Sequence, residues 1–408
     1  MNNIKTHRDT TSENYHGTQV ADPYRWLEEA SAEETRAWVA AQNELSSAYF
    51  QATSERGAII TRLTELMNFP RMTAPVHKGE RYFFSHNTGL QNQAVLSMQH
   101  SLEDQPTVLL DPNTLSTDGT VALITQAYSH DGALLAYGVS ASGSDWQEVK
   151  IRRVADGEDY PEVIRWSKFT SVAWKHDNSG FYYDRLPQPG SVPAEDQNNY
   201  RRIYWHTLGT PQEEDLLIYE RPDAKELSFS SLISDDGKYL LLHVGLGTDP
   251  KNRFYYREIE STGPFTHLLN DFDASYHFVH NVGPLFYFHT DLNAPRGRII
   301  AIDIAHPERA NWQEILPEQE DVIDTVHVVH QQFIVIWKRN AHHLVKRYNL
   351  AGRFLEEIVL PALGSIVEIT GESSDSEVFL NFVSFLYPPS IWRYNFLTEK
   401  LSLWRGPH

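Results

Sequence analysis

The sequence predicts an all-β protein, a seven-bladed β-propeller preceded by an N-terminal helical segment. Seven β-rich hairpin units recur at intervals of about 45–57 residues, which is the spacing of propeller blades. Each unit holds a hydrophobic strand, a polar or Gly- and Pro-bearing link and a second strand rich in aromatic residues. One such unit cannot bury both of its faces, so the units are expected to stack radially. The hairpins span residues 81–99, 132–154, 180–209, 237–259, 284–304, 331–350 and 376–396.

The first part of the chain has a different pattern and predicts a helical segment, 1–70, ahead of a propeller spanning 71–408. Ser31-Ala-Glu-Glu34 has the spacing of a capping box, in which a hydroxyl and a carboxylate satisfy free amides where a helix begins. Apolar residues then recur at helical spacing up to Tyr49, and a second helix is predicted over 54–67, before Pro70. The apolar faces of these helices require a cover, which is either the propeller or another domain.

Short polar turns precede several of the predicted strands. They are Ser129-His-Asp-Gly132, Lys175-His-Asp-Asn-Ser-Gly180 and Ser234-Asp-Asp-Gly237. Asp accepts hydrogen bonds from turn amides, and Gly adopts the positive φ that side chains resist. A calcium loop is the alternative interpretation, but the alternating ligands and the distal Glu that it requires are missing. We therefore interpret these segments as blade turns.

Composition restricts the partners and the compartment. The chain has 35 Lys and Arg against 54 Asp and Glu, a net charge of −19, which disfavours nucleic acid and anionic membrane surfaces as partners. It has no cysteine, which excludes disulfides and a cysteine nucleophile and fits a reducing compartment. Residues 1–11 lack the apolar core of a signal peptide, and the longest apolar runs are too short to span a bilayer. We expect a cytoplasmic protein.

The 19 histidines raise the possibility of a metal centre. His342 and His343 are adjacent, so on a strand they point to opposite sides and do not readily share one ion. The HExxH pattern of zinc peptidases does not occur in the chain. Because a metal site needs several convergent ligands, we expect scattered structural histidines, with no metal and no cofactor.

Several longer stretches resemble the prolyl oligopeptidase family. His16-Gly-Thr-Gln-Val-Ala-Asp-Pro-Tyr-Arg-Trp-Leu-Glu28 and the helix after it are similar to the family's N-terminal segment. Segments similar to the family's blades are Asn87-Thr-Gly-Leu-Gln-Asn-Gln93, Leu110-Asp-Pro-Asn113, Ser140-Ala-Ser-Gly-Ser-Asp-Trp146, Lys168-Phe-Thr-Ser-Val-Ala-Trp174 and Val383-Ser-Phe-Leu386. The resemblance runs nearly from end to end of the chain.

This resemblance implies a two-domain serine peptidase. In the family an N-terminal segment and a C-terminal α/β-hydrolase domain form the catalytic body, and the propeller is a lid that admits short peptides cut after proline. The Ser, Asp and His of the family's catalytic triad belong to the hydrolase domain. We expect this chain to carry the N-terminal segment and the propeller only.

A hydrolase nucleophile requires G-x-S-x-G in a sharp turn between a strand and a helix. The nearest sequence is Gly138-Val-Ser-Ala-Ser142, which lacks the closing Gly and lies in a strand-rich unit. After Phe396 no strand–helix alternation remains to build a hydrolase sheet. We therefore predict no catalytic residue in this chain and no peptide cleavage by the chain alone.

The resemblance also implies three substrate-contacting residues. Phe169 matches an aromatic residue that reaches from the propeller toward the substrate, and Arg253, within Thr248-Asp-Pro-Lys-Asn-Arg-Phe-Tyr-Tyr256, matches an arginine that points at the bound peptide. Asp145, with Trp146, matches a loop facing the domain interface. The alternatives are a core aromatic for Phe169, a solvated arginine for Arg253 and an ordinary turn for Asp145.

The favoured hypothesis is a non-catalytic, substrate-gating propeller of a prolyl-oligopeptidase-type serine endopeptidase. Its partners are then a hydrolase catalytic domain, in the same parent chain or a separate one, and short proline-containing peptides. The alternative is a stand-alone propeller that acts as a protein-interaction scaffold. An orphaned gate should leave the apolar helix residues Trp38, Leu45, Ile59 and Leu66 uncovered, whereas a scaffold should cover them. An enzyme site inside the propeller channel is disfavoured, because no paired carboxylates or ligand cluster repeats across the strands.

Overall fold

The computed structural model describes residues 4–406. The chain forms two compact units, Met1–Asn68 and Phe69–His408. Among the described residues, no helix combines the length and the apolar character needed to cross a membrane.

The first unit contains a small hairpin and two α-helices. The hairpin pairs β1 (Ser12–Tyr15) with β2 (Thr18–Ala21), and its turn places His16 and Gly17 at positive φ. A short 3₁₀ helix (Arg25–Glu28) leads to α1 (Glu33–Gln51) and α2 (Arg56–Met67). The guanidinium of Arg25 joins the 3₁₀ helix to the hairpin by donating to Glu13 over 2.7 Å and to Asp22 over 2.5 Å.

The capping-box prediction for Ser31 is wrong. Helix α1 begins at Glu33, with Ala32 as its N-cap residue and no side chain capping it. The Ser31 hydroxyl donates instead to the carboxylate of Glu29, two residues earlier in the chain. The carboxylates of Glu33 and Glu34 stabilise the first turn of α1 electrostatically, because negative charge is favourable near the free amides of a helix N-terminus.

The second unit is a seven-bladed propeller, as predicted. Blade 1 contains β3 (Arg71–Met72), β4 (Val76–Lys78), β5 (Arg81–Asn87), β6 (Val95–Gln99) and β7 (Thr107–Leu110). Blade 2 contains β8 (Val121–Tyr128), β9 (Leu134–Ala141), β10 (Trp146–Arg153) and β11 (Asp159–Lys168). Blade 3 contains β12 (Val172–Trp174), β13 (Gly180–Arg185), β14 (Arg202–Thr207) and β15 (Leu216–Tyr219). Blade 4 contains β16 (Leu227–Ile233), β17 (Tyr239–Leu246), β18 (Arg253–Glu258) and β19 (Thr266–Leu269). Blade 5 contains β20 (Tyr276–Val282), β21 (Leu285–Thr290), β22 (Arg298–Asp303) and β23 (Gln313–Leu316). Blade 6 contains β24 (Val322–Val329), β25 (Gln332–Arg339), β26 (His342–Asn349) and β27 (Phe354–Ile358). Blade 7 contains β28 (Ser365–Thr370), β29 (Glu377–Val383), β30 (Ser390–Asn395) and β31 (Lys400–Arg405). Short 3₁₀ helices follow or interrupt some links, at Pro112–Thr114, Ala194–Asp196, Gln212–Glu214 and Arg309–Asn311.

Each of the seven predicted hairpins is the central pair of strands in one blade. The first prediction, 81–99, corresponds to β5 and β6, and the last, 376–396, corresponds to β29 and β30. The prediction covers only the central pairs; the innermost and outermost strands are additional, and some of them are as long as the central ones, such as β11 with ten residues and β16 with seven. Paired strands within a blade are antiparallel and follow chain order in blades 2 to 7, whereas in blade 1 both β3 and β4 pair with β5.

This order defines two faces of the propeller. The upper face carries the loops between the second and third strands, such as 142–145 and 247–252, and the links that enter each first strand, such as 169–171. The lower face carries the turns between the first and second strands, which include the predicted turns at 129–132, 175–180 and 234–237. Gly132 and Gly237 have φ of 66° and 72°, as expected for the last residue of such a turn.

The hydrophobic core is divided among the contacts between neighbouring blades. Six clusters, each with seven to eleven buried residues, join blades 1–2, 2–3, 3–4, 4–5, 5–6 and 6–7. A seventh cluster joins blade 7 to blade 1 and has four buried residues, Ala74, Leu102, Phe379 and Ile391. The packing between faces of successive sheets is what a repeating unit needs for stability.

Candidate functional site

The three residues predicted to contact substrate all lie on the upper face of the propeller. Asp145 lies in the loop between β9 and β10, and Phe169 in the link from β11 to β12. Arg253 is the first residue of β18 and follows the loop after β17. The sheet order therefore directs residues from blades 2, 3 and 4 to one side of the molecule.

Phe169 is an exposed aromatic residue on a strained link. Its side chain is 70% exposed, so it is not a core residue of a blade. Its φ is +51°, a conformation that costs a non-glycine residue on the order of 1–2 kcal/mol. Such strain persists only where the surrounding structure holds it, and an exposed ring held in this way is available to a ligand.

Asp145 and Phe169 are adjoining positions at the end of one strand pair. Trp146 of β10 pairs with Lys168 of β11, and Asp145 and Phe169 are the residues just beyond this pair. The ammonium of Lys168 lies 4.3 Å from the centre of the Trp146 ring, a cation–π contact. The sequence alone does not single out Lys168, because its position opposite Trp146 is set by the register of the sheet.

Arg253 has a fixed base and free terminal nitrogens. Its Nε donates to the backbone carbonyl of Asn270 over 3.0 Å, and its guanidinium carbon lies 5.0 Å from the centre of the Phe272 ring. Within residues 4–406, no carboxylate lies within ion-pair distance of Arg253. Its terminal nitrogens are therefore able to donate charge-assisted hydrogen bonds to a peptide carbonyl or carboxylate.

Several loops and links of the upper face carry exposed apolar side chains. The most exposed are Phe385 and Leu386, at 109% and 88%, in the loop between β29 and β30. Other large apolar residues that are exposed in upper loops and links are Leu90, Val359, Leu363 and Tyr387. Among the described residues, the turns of the lower face contain one exposed large apolar side chain, Leu397 at 73%, in the turn between β30 and β31. A surface with several exposed apolar loops is typical of an interaction surface.

The lower face has a polar opening with a different character. A cavity of about 570 Å³ is lined by His77, Lys78, His130, His176, Asp235 and Glu372, among others. The rings of His130 and His176 are stacked at 4.0 Å, and burial, together with the charge of His130, lowers the pKa of His176. Within residues 4–406, no three His, Asp or Glu side chains converge as metal ligands.

Ser140, the nearest approach to a hydrolase nucleophile, has a structural role. Its hydroxyl donates to the backbone carbonyl of Ser144 in the loop after β9. The residue is buried on an antiparallel strand, and no helix follows it to form an elbow. The described residues contain α-helices only in the first unit, so they hold no α/β-hydrolase sheet.

Comparison with known protein families agrees with this architecture. Residues 5–407 match the family described as "Prolyl oligopeptidase, N-terminal beta-propeller domain". The chain belongs to this family. Its match covers nearly the whole sequence, including the segment before the propeller.

Individual relatives support the same assignment. The prolyl endopeptidase of Elizabethkingia meningoseptica is 30% identical over 404 residues, which are 98% of this chain and 56% of that protein. Prolyl oligopeptidase A of Galerina marginata is 31% identical over 419 residues, covering 95% of this chain and 56% of the relative. The chain thus spans slightly more than half the length of the curated relatives that it matches.

Solved structures of the family have the same fold. One, from work on two prolyl endopeptidases and the role of inter-domain dynamics in catalysis and specificity, has a TM-score of 0.90 and 31% identity, covering 99% of this chain and 60% of that chain. Another is prolyl oligopeptidase B of Galerina marginata bound to a 35mer hydrolysis and macrocyclization substrate, with a TM-score of 0.86 and 26% identity, covering 100% of this chain and 60% of that chain. The second structure is a peptide complex of that relative.

Proposed function

We propose that this chain is the substrate-gating propeller of a prolyl-oligopeptidase-type serine endopeptidase, which cleaves short peptides after proline. In this proposal the chain positions peptides, and a hydrolase domain, in the same parent chain or a separate one, supplies the nucleophile. The observation that carries the proposal is the pair of Phe169 and Arg253 on the upper face. One offers an exposed aromatic ring, and the other offers guanidinium nitrogens that no carboxylate of the described chain occupies.

The upper face suits both a peptide and a domain partner. The ring of Phe169 favours an apolar side chain, with about 0.5–1.5 kcal/mol from an aromatic pair. Arg253 favours a carbonyl or carboxylate of the peptide backbone. The exposed apolar loops around Phe385 and Leu363 favour a protein surface that covers them, which in this proposal is the hydrolase domain.

The helices of the first unit favour a gate over a stand-alone scaffold. Leu45, Ile59 and Leu66 are 37%, 54% and 51% exposed, and Trp38 is partly buried, with its indole N–H donating to Thr6. Three of the four residues that a scaffold should cover are thus exposed. Such a surface suits a chain whose helices are completed by a further domain.

The proposal is tested with the purified chain and a hydrolase domain of a family member. A short fluorogenic peptide containing proline is supplied to the chain alone, to the hydrolase domain alone and to the mixture. We expect no turnover by the chain alone and an increase of proline-specific turnover in the mixture above that of the hydrolase domain. Turnover by the chain alone that is lost on Ser140→Ala would contradict the proposal, because it would place the nucleophile in the propeller.

Variants of the two site residues test the substrate contacts. Phe169→Ala and Arg253→Met should each lower kcat/KM about tenfold, mainly through KM, because each removes a contact to the bound peptide. Arg298→Met is the matched control, since Arg298 is the first residue of β22 as Arg253 is of β18, but it is paired with Glu314 at 2.9 Å. An equal loss in Arg298→Met would count against a specific role for Arg253.

A further inference from the structure

The link that carries Phe169 is held by a buried carboxylate. Asp184, in β13, has a side chain with no exposed surface. Its Oδ1 accepts from the backbone amide of Ser171 over 2.8 Å and from the Ser171 hydroxyl over 3.1 Å. The Thr170 hydroxyl donates to the Asp184 backbone carbonyl over 2.8 Å and also lies 3.2 Å from Asp184 Oδ1. Both residues that follow Phe169 are therefore fixed to one acid.

The residue before Phe169 is fixed by the cation that neutralises this acid. Arg201 Nη1 donates to Asp184 Oδ2 and, over 3.0 Å, to the backbone carbonyl of Lys168. Burial raises the pKa of the Asp184 carboxyl, while the charge of Arg201 and the hydrogen bonds from Ser171 oppose that rise. Lys168 is held further by its ammonium, which donates to Asn198 Oδ1 over 2.9 Å.

The same network reaches the next blade. The hydroxyl of Ser171, besides donating to Asp184, accepts from the backbone amide of Ser231 in β16 over 3.0 Å. The link between blades 2 and 3 is thereby joined to blade 4, which also carries Arg253. A buried ionic group with all its partners in place specifies one local geometry, at a stability cost if any partner is lost.

We propose that Asp184 is a positioning residue, which with Arg201 locks residues 168–171 and so holds the Phe169 ring in its strained, exposed orientation toward the peptide. The substrate part of this inference rests on the proposed function of Phe169. A positive φ at a bulky residue is retained only where neighbouring contacts over-determine it, and here each neighbour of Phe169 is tied to the Asp184–Arg201 pair. Asp184 acts through Phe169 and does not itself face solvent.

Hydrogen–deuterium exchange of the full chain tests the lock without any activity measurement. Asp184→Asn should speed exchange in residues 168–171 about tenfold, because the Ser171 amide loses its charged acceptor. Ser171→Ala is the milder second variant and should speed exchange in the same segment if Asp184→Asn does not fold. Asp215→Asn is the control, since Asp215 is also buried next to blade 3, where it accepts from Tyr183 and contacts His206, but it does not contact the link. Unchanged exchange of residues 168–171 in both Asp184→Asn and Ser171→Ala would overturn the proposal.

A double-mutant cycle with the hydrolase domain tests the consequence for substrate. Asp184→Asn should raise KM several-fold in the wild-type background and have no further effect when Phe169 is already Ala. An equal KM increase in both backgrounds would refute action through Phe169. If exchange is faster but Phe169→Ala leaves KM unchanged, the proposed function of Phe169 is refuted and the substrate role of Asp184 with it, while the lock on the link is retained.

Discussion

Nδ1 of His77 lies 2.7 Å from Oδ1 of Asp375, and this contact joins the first blade of the propeller to the last. The closure is completed by other polar contacts between blades 1 and 7. The Tyr82 hydroxyl donates to Glu377 over 2.7 Å, and the ammonium of Lys78 lies 2.7 Å from Glu372. Because blade 7 takes all four of its strands from the end of the chain, no strand is exchanged across this seam. The ring therefore closes through side chains.

His77 should stabilise the seam between blades 1 and 7 more in acid than in alkali. The hydrogen bond to Asp375 raises the pKa of His77 above 6.5, with Glu377 and Glu372 adding to the rise and burial opposing it. The protonated His77 stabilises the fold fully when the pH is below the pKa of His77 in the unfolded chain. This contribution is lost as the pH rises through the pKa of His77 in the folded protein. His77→Gln should cost about 1 kcal/mol of unfolding free energy near pH 6 and less near pH 9.

Urea unfolding at several pH values measures this difference. His306→Gln is the control, because His306 is 71% exposed and its contact to Asp303 lies within one blade. A difference between wild type and His77→Gln that does not change with pH would show that the ion pair is not the source of the stabilisation.

The seam should also open before the other blade contacts when its small core is damaged. Phe379 is 1% exposed and packs between Tyr82 and Trp404, at ring distances of 6.2 and 5.7 Å. Phe379→Ala should cost about 3–5 kcal/mol through the cavity it leaves. Hydrogen exchange should accelerate first in blades 1 and 7.

Phe288→Ala is the comparison variant for the seam. Phe288 is fully buried in the cluster between blades 4 and 5, so its loss should destabilise the propeller by a similar amount. Exchange should then accelerate in blades 4 and 5 rather than at the seam. Identical exchange patterns in the two variants would mean that the propeller opens as one cooperative unit.

Gly132 should be required in its turn for a reason beyond its φ. A Cβ at this position would lie 2.5 Å from the backbone carbonyl oxygen of Lys78 in blade 1. Gly143 has a similar φ, +74° against +66°, but a Cβ there would have no neighbour within 4 Å. Both Gly→Ala variants incur the cost of a positive φ, about 1 kcal/mol. Gly132→Ala should cost a further 1–3 kcal/mol or so, since overpacking forces the neighbour to move.

Thermal unfolding of the two glycine variants measures the cost of steric crowding around the added Cβ. The two positions have nearly the same φ but differ in whether a backbone atom lies against that Cβ. Equal losses in Gly132→Ala and Gly143→Ala would show that conformational strain alone decides, and that the contact with blade 1 adjusts freely.

His289 should make the propeller sensitive to acid. Burial lowers the pKa of His289 to about 4, with His277 lowering it further and Asp291 and Asp324 opposing. The unfolded chain takes up this proton near pH 6.5, so stability falls as pH falls from about 6.5 to about 4. In His289→Gln the dependence of unfolding free energy on pH should be flatter by up to about 1.4 kcal/mol per pH unit in this range.

Denaturant unfolding between pH 4 and pH 7, taken about every half unit, measures that slope, with the exposed His100→Gln as control. Parallel curves for wild type and His289→Gln would mean that His289 is protonated equally in the folded and unfolded states.

The candidate site residues could be predicted from the sequence, but the residues that hold Phe169 in place could not. Phe169, Arg253 and Asp145 are singled out by resemblance, and the order of strands explains why they share the upper face. The partners that fix Phe169 lie 15 or more positions away, in Asp184 and Arg201, and neither has a local pattern that marks it. A buried acid is recognised only when its surroundings are known, because its position in a strand does not distinguish it from a solvated one.

The sequence by itself determined the seven central hairpins, the helical start of the chain and the turns of the lower face, because alternation, helical spacing and turn residues act over a few positions. It misplaced the cap of α1, where Ser31 bonds to Glu29 rather than to the helix. Only the tertiary structure decided how the ring closes. The contact of His77 with Asp375 joins residues 298 positions apart, so it depends on the accumulated rotation of seven stacked sheets and not on any local preference.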